Sequence, residues 1–524
     1  MAFLHVEFLS GARTLLAVFF SILVASRNSL HPFLSRFAHG GSVRWGVTTP
    51  ISFVPFLAVL VFLTGCGPSV NHYLLVEQSL LAGDPQRAAT IVEQTEREYG
   101  TKGRLLYEMD RGLVLQLAGR YQQSSAVFEK AEEEVERLYT RSIRSETAAF
   151  LTNDNALPYE GDAYEHVMIN VVNALNYAAQ GQLQEALVEA RRIDHRLNVL
   201  GDKVKDATKY RTDGFARYLT GILYEATGDL NNAFIAYRNA YDAYGAMRGW
   251  LKMPSPPSLR ADLLRTTEAL GLSTEFAEYR QAFPEVTWQS RSAQEELAQV
   301  VMISYNGRAP RKVDMFLDLP ISLDAAQLVL LNRGIYRSPY PRDRVADSVL
   351  YGLSGRVVRI ALPQLIPQKT RVAFENMTLT DSAGSSVTVR SEPVQNITAL
   401  AEKSLAERLP AITTKALARA ATKFGMAEGA TIGAQHAAGR DAAPWVGLVV
   451  GVLAKGLAVA SEEADKRSWQ TLPDEIHIAR AWVSPGQYQV SVRPSGQGIS
   501  MTKDGQSVSL GAGQTVFMLQ RVMQ

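Results

Sequence analysis

Between residues 72 and 285 the apolar positions recur at helical spacing, and runs of β-branched residues are rare. Apolar residues three or four positions apart indicate amphipathic helices. The segment also repeats itself, with small and large side chains at fixed offsets. The clearest copy contains Gly221, Tyr224, Gly228, Leu230, Ala233, Tyr237 and Ala240. The same offsets recur in two further copies: one contains Gly112, Gly119, Tyr121, Phe128 and Ala131, and the other contains Ala174, Tyr177, Gly181, Leu183, Ala186 and Ala190. A weaker copy contains Gly83, Ala88 and Val92. This repetition predicts helical hairpins stacked side by side.

Each copy has a glycine between its two predicted helices, at positions 83, 119, 181 and 228. Glycine can end a helix in the left-handed conformation that other residues rarely adopt. Small residues elsewhere in the copy allow two helices to approach closely, and a large aromatic residue fills the space beside them. These features resemble the tetratricopeptide repeat (TPR), and the resemblance implies an α-solenoid with a concave groove for a protein partner. We therefore expect a TPR-like helical domain over residues 66–285.

After Pro284 the pattern changes to short alternating runs, which are typical of strands. The predicted strands are 300–305, 356–362, 371–374, 386–389, 476–483, 488–492 and 514–519, with turns at Pro485-Gly486 and Asp504-Gly505. Short strands and polar turns favour a β-sandwich. The predicted fold is therefore a multidomain α + β chain, in which the TPR-like solenoid precedes a β-rich, sandwich-like domain over residues 286–524.

A helical insertion over about residues 397–465 interrupts these strands. Leu400 to Phe424 has helical spacing, Gly425 to Gly439 is a Gly/Ala-rich link, and Pro444 to Ala460 is almost wholly apolar apart from Lys455. A membrane-spanning helix needs roughly 20 apolar residues, so the last segment is borderline in length. We expect a helical hairpin buried against the sandwich; the alternative is a hairpin that touches a membrane or joins two copies of the chain.

The chain has one cysteine, and it follows an apolar run from Pro50 to Leu63 within the sequence Leu63-Thr64-Gly65-Cys66. Small residues before a lone cysteine at the end of an apolar run are typical of a bacterial lipoprotein signal. Cleavage before Cys66 would leave its thiol and amine to carry acyl chains, and two or more chains anchor a protein stably. The alternative is a buried free cysteine in an apolar helix. Gly67 follows, rather than Asp, and this favours the periplasmic face of the outer membrane.

Residues 1–65 are therefore predicted to be a lipoprotein signal region. A signal of ordinary length would begin near Val43, with Arg44 as its charged end. We expect translation to start at Val43 rather than upstream, in residues 1–42. The alternative is a membrane helix over residues 14–25, which is too short to span a bilayer comfortably.

Composition narrows the possible chemistry. The 524 residues are 46% hydrophobic and 20% charged, with a net charge of +2, so nothing favours a nucleic-acid partner. Since the one cysteine is used for lipid, disulfides and cysteine-ligated metals are not expected. The eight histidines include no zinc-protease spacing. Ser500-Met501-Thr502-Lys503 matches the Ser-x-x-Lys of penicillin-recognising enzymes, but the turn predicted directly after it favours coincidence. We predict no enzyme activity and no catalytic, cofactor or metal residues.

The turn glycines are spaced most widely between Gly119 and Gly181, which predicts an inserted loop. Loops on a rigid scaffold often carry function, so Tyr159, Glu160 and Glu165 are the candidate residues for binding a partner. The alternative is a variable surface loop without a role. Glu165 and His166 could form a pair in this loop, but no nucleophile lies near them in sequence, and we interpret them as structural.

A second, narrower resemblance to known proteins involves residues of this region and of the C-terminal half. It is carried by Tyr159-Glu160-Gly161, Tyr164-Glu165, Asn170, Ala174-Leu175-Asn176-Tyr177, Gly181 and Val188-Glu189-Ala190-Arg191-Arg192, and then by Asp465, Arg467-Ser468-Trp469, Leu472-Pro473, Pro485-Gly486 and Tyr488. These residues are similar to a family of bacterial TPR-type envelope lipoproteins. The resemblance implies envelope assembly as the setting and carries over no activity.

The sequence thus predicts an outer-membrane lipoprotein that acts as a protein–protein interaction scaffold, with envelope proteins as partners and the membrane reached through the lipid anchor. One alternative is an activator or regulator of peptidoglycan synthesis. The other is a cell-wall hydrolase, which would need paired carboxylates in a cleft.

Overall fold

The computed structural model describes residues 71–141, 155, 157–203, 213–320, 357–437, 463–497 and 503–523. Contacts divide the chain into two compact units. The first consists of Met1–Gly67, Gly334–Gly355 and Ala430–Ala460, of which residues 430–437 are described. The second consists of Pro68–Arg333, Arg356–Gly429 and Ser461–Gln524. Cys66, the signal region and the apolar segment 444–460 lie outside the described residues, and the predicted domain limits stay predictions.

Within the described residues, five helical hairpins follow one another along the chain. They pair α1 (Asn71–Leu81) with α2 (Pro85–Gln94), α4 (Arg104–Leu117) with α5 (Tyr121–Arg141), α6 (Ala163–Ala179) with α7 (Leu183–Lys203), α8 (Gly214–Ala226) with α9 (Leu230–Leu251), and α10 (Pro257–Ala269) with α11 (Ser273–Ala282). The one-turn helices α3 (Glu96–Tyr99) and α12 (Arg291–Gln294) lie outside the hairpins. This helical array confirms the predicted repeat.

A glycine with positive φ separates the two helices of every hairpin. The four predicted turn glycines have φ of 73° at Gly83, 73° at Gly119, 74° at Gly181 and 84° at Gly228. A fifth, Gly271 at 68°, turns the last hairpin, which the sequence copies did not include. Side-chain caps start several helices: Asp84 accepts from the Arg87 amide, and Asp229 accepts from the Asn232 amide.

The small residues of the repeat lie where two helices meet, as predicted. A Cβ on Gly112 would lie 2.7 Å from the Phe128 ring, and a Cβ on Gly221 would overlap the Tyr237 ring. Both rings are fully buried. The aromatic side chain therefore occupies the space that a larger residue at the glycine position would need.

The strands after the array form two four-stranded sheets and one two-stranded antiparallel sheet. The inner sheet has the order β10 (Thr515–Val522), β1 (Ala298–Asn306), β7 (Glu475–Val483) and β6 (Glu392–Asn396). The outer sheet has the order β5 (Ser386–Arg390), β4 (Val372–Asp381), β8 (Gly486–Gly496) and β9 (Lys503–Leu510). In the third sheet, β2 (Arg311–Pro320) pairs with β3 (Val357–Ile366). β10 runs parallel to β1, and the other pairs are antiparallel. All seven predicted strands lie in or largely in these elements.

The two sheets pack face to face and form the predicted sandwich. Val300 and Met302 of the inner sheet share a core with Met377 and Leu379 of the outer sheet. The opposite face of β1, which includes Val301, joins the core of the helical array. Every residue of β1 is buried, because the strand lies between two layers. This part of the second unit therefore has three layers: helices, inner sheet and outer sheet.

The helix α13 (Ile397–Ala437) packs on the two-stranded β2–β3 sheet through Ala416 and Ala420, which meet Ile360 and Leu362. It runs unbroken through residues 425–437, so the predicted Gly/Ala-rich link is helical there. Asp504-Gly505 lies within β9 rather than in the predicted turn. There the Lys503 to Leu510 pairing with β8 overrides the turn preference of Asp-Gly.

Replacing Gly221 with Ala tests the close approach of helices α8 and α9. The new methyl group would overlap the Tyr237 ring, so we expect a loss of about 2 kcal/mol or more in the free energy of unfolding. Gly245 provides a matched control, since it is exposed on α9 with nothing within 4 Å of an added Cβ. Gly245→Ala should raise stability by about 0.5–1 kcal/mol. Equal effects in urea titration would contradict this packing.

Candidate functional site at the helix–sheet interface

The first helices of three hairpins contact the inner sheet. α4 and α6 contact β10, and α8 contacts β6. Polar bonds also cross this interface: the Tyr305 hydroxyl donates to Gln116 Oε1 at 3.0 Å, and the Gln395 amide donates to both oxygens of Asp213 at 2.9 Å. This face is covered by the chain's own sheet, which corrects the expectation of an open groove along it.

Four buried charges form the centre of this interface. Arg480 extends from β7 and contacts Glu225 at the end of α8 and Asp262 on α10. Arg265, also on α10, contacts the same two carboxylates. The Arg480 Nη2 to Glu225 Oε2 distance is 3.1 Å, and the four side chains are between 2% and 7% exposed. We call these four residues the Arg480 network.

Two tyrosines complete the hydrogen bonding of the Arg480 network. The Tyr237 hydroxyl donates to Glu225 at 2.7 Å, and the Tyr218 hydroxyl donates to Asp262 at 2.9 Å. Burial by itself raises the pKa of Glu225, but Arg265 and Arg480 outweigh it and lower this pKa to about 2. The carboxylate is therefore charged, and its oxygens are engaged by donors rather than free to act as an acid or base.

A second cluster lies at the N-terminus of α6. The Glu165 carboxylate accepts from the Tyr159 hydroxyl at 2.6 Å, from the Asp162 amide at 2.8 Å and from the Trp469 amide at 2.9 Å. Asp162 is the N-cap residue and forms a capping box with Glu165. Burial and the neighbouring charge of Asp162 raise the pKa of Glu165.

Cations from the C-terminal half meet Asp162. Lys312 of β2 lies 3.0 Å from one carboxylate oxygen, and Arg408 of α13 contacts the other. Burial raises the pKa of Asp162, but these two cations outweigh it and lower this pKa to about 2. Asp162 therefore joins the helical array to both β2 and α13.

Residues from both halves of the chain meet in this cluster, although about 300 positions separate them. Trp469 donates to Glu165, Arg467 donates to the Leu157 carbonyl at 3.0 Å, and the Arg467 guanidinium lies 5.3 Å from the Tyr159 ring centre. Trp469 is 1% exposed. Tyr159, Glu165, Arg467 and Trp469 thus build a junction between the halves of the chain.

The partner-binding candidates occupy different places in this junction. Tyr159 is 5% exposed and Glu165 is 0% exposed, so both side chains serve the packing of the chain itself rather than an open surface. The Glu160 side chain is exposed and stays a candidate. Glu165 and His166 lie in the first turn of α6, not in a loop. Sequence spacing could not reveal this burial, because Trp469 comes from the other half.

His166 is held by the chain around Gly161. Its Nε2 donates to the Glu160 carbonyl at 2.7 Å, and burial lowers its pKa to about 4. Gly161 has a φ of 78°, and a Cβ there would lie 2.8 Å from His166 Nε2. The neutral imidazole is therefore a structural donor, which agrees with its interpretation from the sequence.

Asp110 of α4 is a third buried carboxyl group at the interface. It accepts from the hydroxyls of Tyr73 at 2.9 Å, Tyr99 at 3.0 Å and Thr471 at 2.8 Å. Thr471 in turn accepts from the Trp469 indole at 2.9 Å. Burial raises the pKa of Asp110 to about 7. No cation contacts this carboxyl group among the described residues, and sequence spacing gave no sign of its position.

Among the described ranges, no group of three or more His, Cys, Asp or Glu side chains is arranged to hold a metal ion. Within the same residues, no helix combines the length and the apolar character that crossing a membrane requires.

No protein-family model matches the sequence, and no curated protein matches it. Solved structures with helical repeats are similar to part of it. MamA 41-end from Desulfovibrio magneticus RS-1 has 15% identity and a TM-score of 0.27, covering 41% of this chain and 92% of that chain. A kinesin light chain from Podosopora anserina with nearly identical TPR-like repeats has 16% identity and a TM-score of 0.29, covering 43% and 97%.

The Rap conjugation gene regulator of plasmid pLS20, in complex with the Phr* peptide, has 16% identity and a TM-score of 0.25, covering 51% of this chain and 65% of that chain. These scores are low. The repeat architecture therefore rests on the helices and turn glycines of the chain itself.

Replacing Arg480 with Met tests the Arg480 network. The change leaves Glu225 and Asp262 buried with less positive charge, and breaking a buried pair in this way costs about 3–5 kcal/mol of unfolding free energy. Arg87 is exposed on α2. Arg87→Met should change stability by less than about 0.5 kcal/mol in the same urea titration. A loss below about 1 kcal/mol in the Arg480 variant would show that the network contributes little to docking the sheet.

Asp110 gives the fold a pH dependence. Between pH 4 and pH 7 the folded state keeps a proton on Asp110 that the unfolded chain releases, so its contribution to stability falls as the pH rises. A shift from 3.8 to about 7 corresponds to roughly 4 kcal/mol. As the pH rises over this range, we expect the free energy of unfolding of Asp110→Asn to increase relative to that of the parent protein. Parallel stability curves for the two proteins, from urea titrations at each pH, would contradict the assignment.

Proposed function

We propose that the protein is a lipid-anchored scaffold of the bacterial outer membrane that binds envelope proteins and performs no chemistry of its own. The observation that carries this proposal is a difference between the two sides of the helical array: one is covered and the other is exposed. The first helices are covered by the inner sheet, whereas the second helices α7 and α9 expose Val188 and Ile235, with 45% and 38% of their surface accessible.

Val188 and Ile235 occupy equivalent positions in successive hairpins. Each lies seven residues after the turn glycine of its hairpin, Gly181 or Gly228. Since α7 and α9 belong to successive hairpins, equivalent positions recur along the array. This pair, which we call the outer apolar pair, is a surface on which a partner protein can bury apolar area without displacing the sheet.

The position of α1 in the chain, close to Cys66, supports the proposed lipid anchor. The helix begins at Asn71, and the five chain steps from Cys66 span at most roughly 18 Å. α1 exposes Leu74, Leu75 and Leu81, which are 45%, 47% and 39% accessible. Acyl chains on Cys66 would therefore hold this apolar helix near the bilayer surface, where exposed leucines are favourable.

In-cell photo-cross-linking tests the scaffold. A photoreactive residue at position 188 or 235 should join the protein to one envelope partner, because both positions are exposed on second helices of the array. Position 386, which is exposed on strand β5 of the outer sheet, is the control and should give no such product. Mass spectrometry of the cross-linked band identifies the partner, and recovery of a peptidoglycan synthase would specify the scaffold as a regulator of that enzyme.

A Cys66→Ser variant separates the anchor from the scaffold in the same cells. The variant should leave the membrane fraction and lose the added acyl mass. No product from positions 188 and 235, or the same products from position 386, would refute the proposed partner surface. Continued acylation and sedimentation of the Cys66→Ser variant with membranes would refute the anchor.

A further inference from the structure

A cleft lies between α1 and the ends of β1, β2 and β10. It is partly open to solvent. Arg308, Arg311 and Arg521 line it, and Val76 and Leu80 of α1 form an apolar wall. The cleft lies outside the Arg480 network and outside the outer apolar pair.

Arg521 is a partly buried cation with an incomplete set of partners. Its Nη2 donates to the carbonyls of Gly307 at 2.9 Å and Leu472 at 3.2 Å. Its Nε and Nη1 are buried and have no hydrogen-bond partner among the described residues. Burial lowers the pKa of Arg521 to about 9. Burying a guanidinium without a counter-ion is unfavourable, so this side chain is suited to an anion.

The other two arginines differ in their contacts. Arg308 forms an ion pair with Glu77 of α1, which neutralises one charge at the cleft. Arg311 lines the cleft and makes no side-chain hydrogen bond or ion pair with the described part of the chain. The cleft therefore retains two positive charges, those of Arg311 and Arg521, without a carboxylate to balance them.

We propose that this cleft binds a phosphate group, with Arg311 and Arg521 as its donors. The planar guanidinium presents paired N–H groups that match the oxygens of a phosphate. A phosphate monoester carries a charge of about −1.5 to −2 at neutral pH, which balances two guanidinium groups better than a single carboxylate does. The apolar wall suits a phosphate that is attached to an apolar group.

Two sources can supply this chemistry: a phospholipid headgroup and a free phosphate compound. Both can be tested on the purified full chain carrying Cys66→Ser, so that no acyl chain contributes to binding. The test of this site is therefore independent of the test of the lipid anchor.

Calorimetric titration with inorganic phosphate, at constant ionic strength and pH 7, measures the site directly. We expect saturable binding that weakens at least about tenfold in Arg311→Gln and in Arg521→Gln, since a charge-assisted hydrogen bond contributes about 1.5–3 kcal/mol. Arg87→Gln, an exposed change on α2, should bind as the parent does. Arg521 also supports two carbonyls, so Arg311→Gln provides the decisive variant if Arg521→Gln alters the circular dichroism spectrum.

Vesicles distinguish the sources. Binding to phosphatidic acid vesicles over phosphatidylcholine vesicles, lost in Arg311→Gln, would identify a lipid headgroup. Binding of inorganic phosphate without a preference between the vesicles would identify a free phosphate compound. The proposal is overturned if neither probe binds, or if Arg311→Gln binds both probes as tightly as the parent.

Discussion

The inner sheet is buried on both faces, and the rest of the structure is arranged around this constraint. β1 contributes Val300 and Met302 to the core between the sheets, and Val301 and Ile303 to the core of the helical array. A strand enclosed in this way needs apolar side chains on both sides, or polar ones with partners. Arg480 on β7 is a polar residue of this kind, and its partners are Glu225 and Asp262 of the helical array.

These buried charges act on specificity more than on net stability. Desolvation of Glu225 and Asp262 offsets much of their attraction to Arg265 and Arg480. A sheet docked in another register would leave one of these charges unpaired, which is far less favourable than the observed arrangement. The Asp162 cluster works in the same way at the start of α6, where Lys312 arrives from β2. Together the two clusters define how β7, β2 and α13 pack on the helical array.

Local features of the chain were predictable because they depend on neighbouring residues. The turn glycines follow from backbone conformation, and the pairing of Gly112 with Phe128 follows from helical spacing within one hairpin. The hairpin at Gly271 was missed because it lacks the aromatic and small residues of the other copies. The turn expected at Asp504-Gly505 was wrong because strand pairing with β8 outweighs the local preference.

The sequence by itself therefore determined the helical repeat, the strands and the presence of a sandwich, since each depends on periodicity over a few residues. Tertiary structure alone decided that the sheet covers the array, that Glu165 meets Trp469, and that Arg311 and Arg521 share a cleft. These contacts join residues that are up to 304 positions apart. Periodicity shows that a side chain is buried on one face of an element, but the identity of its partner depends on which elements pack together.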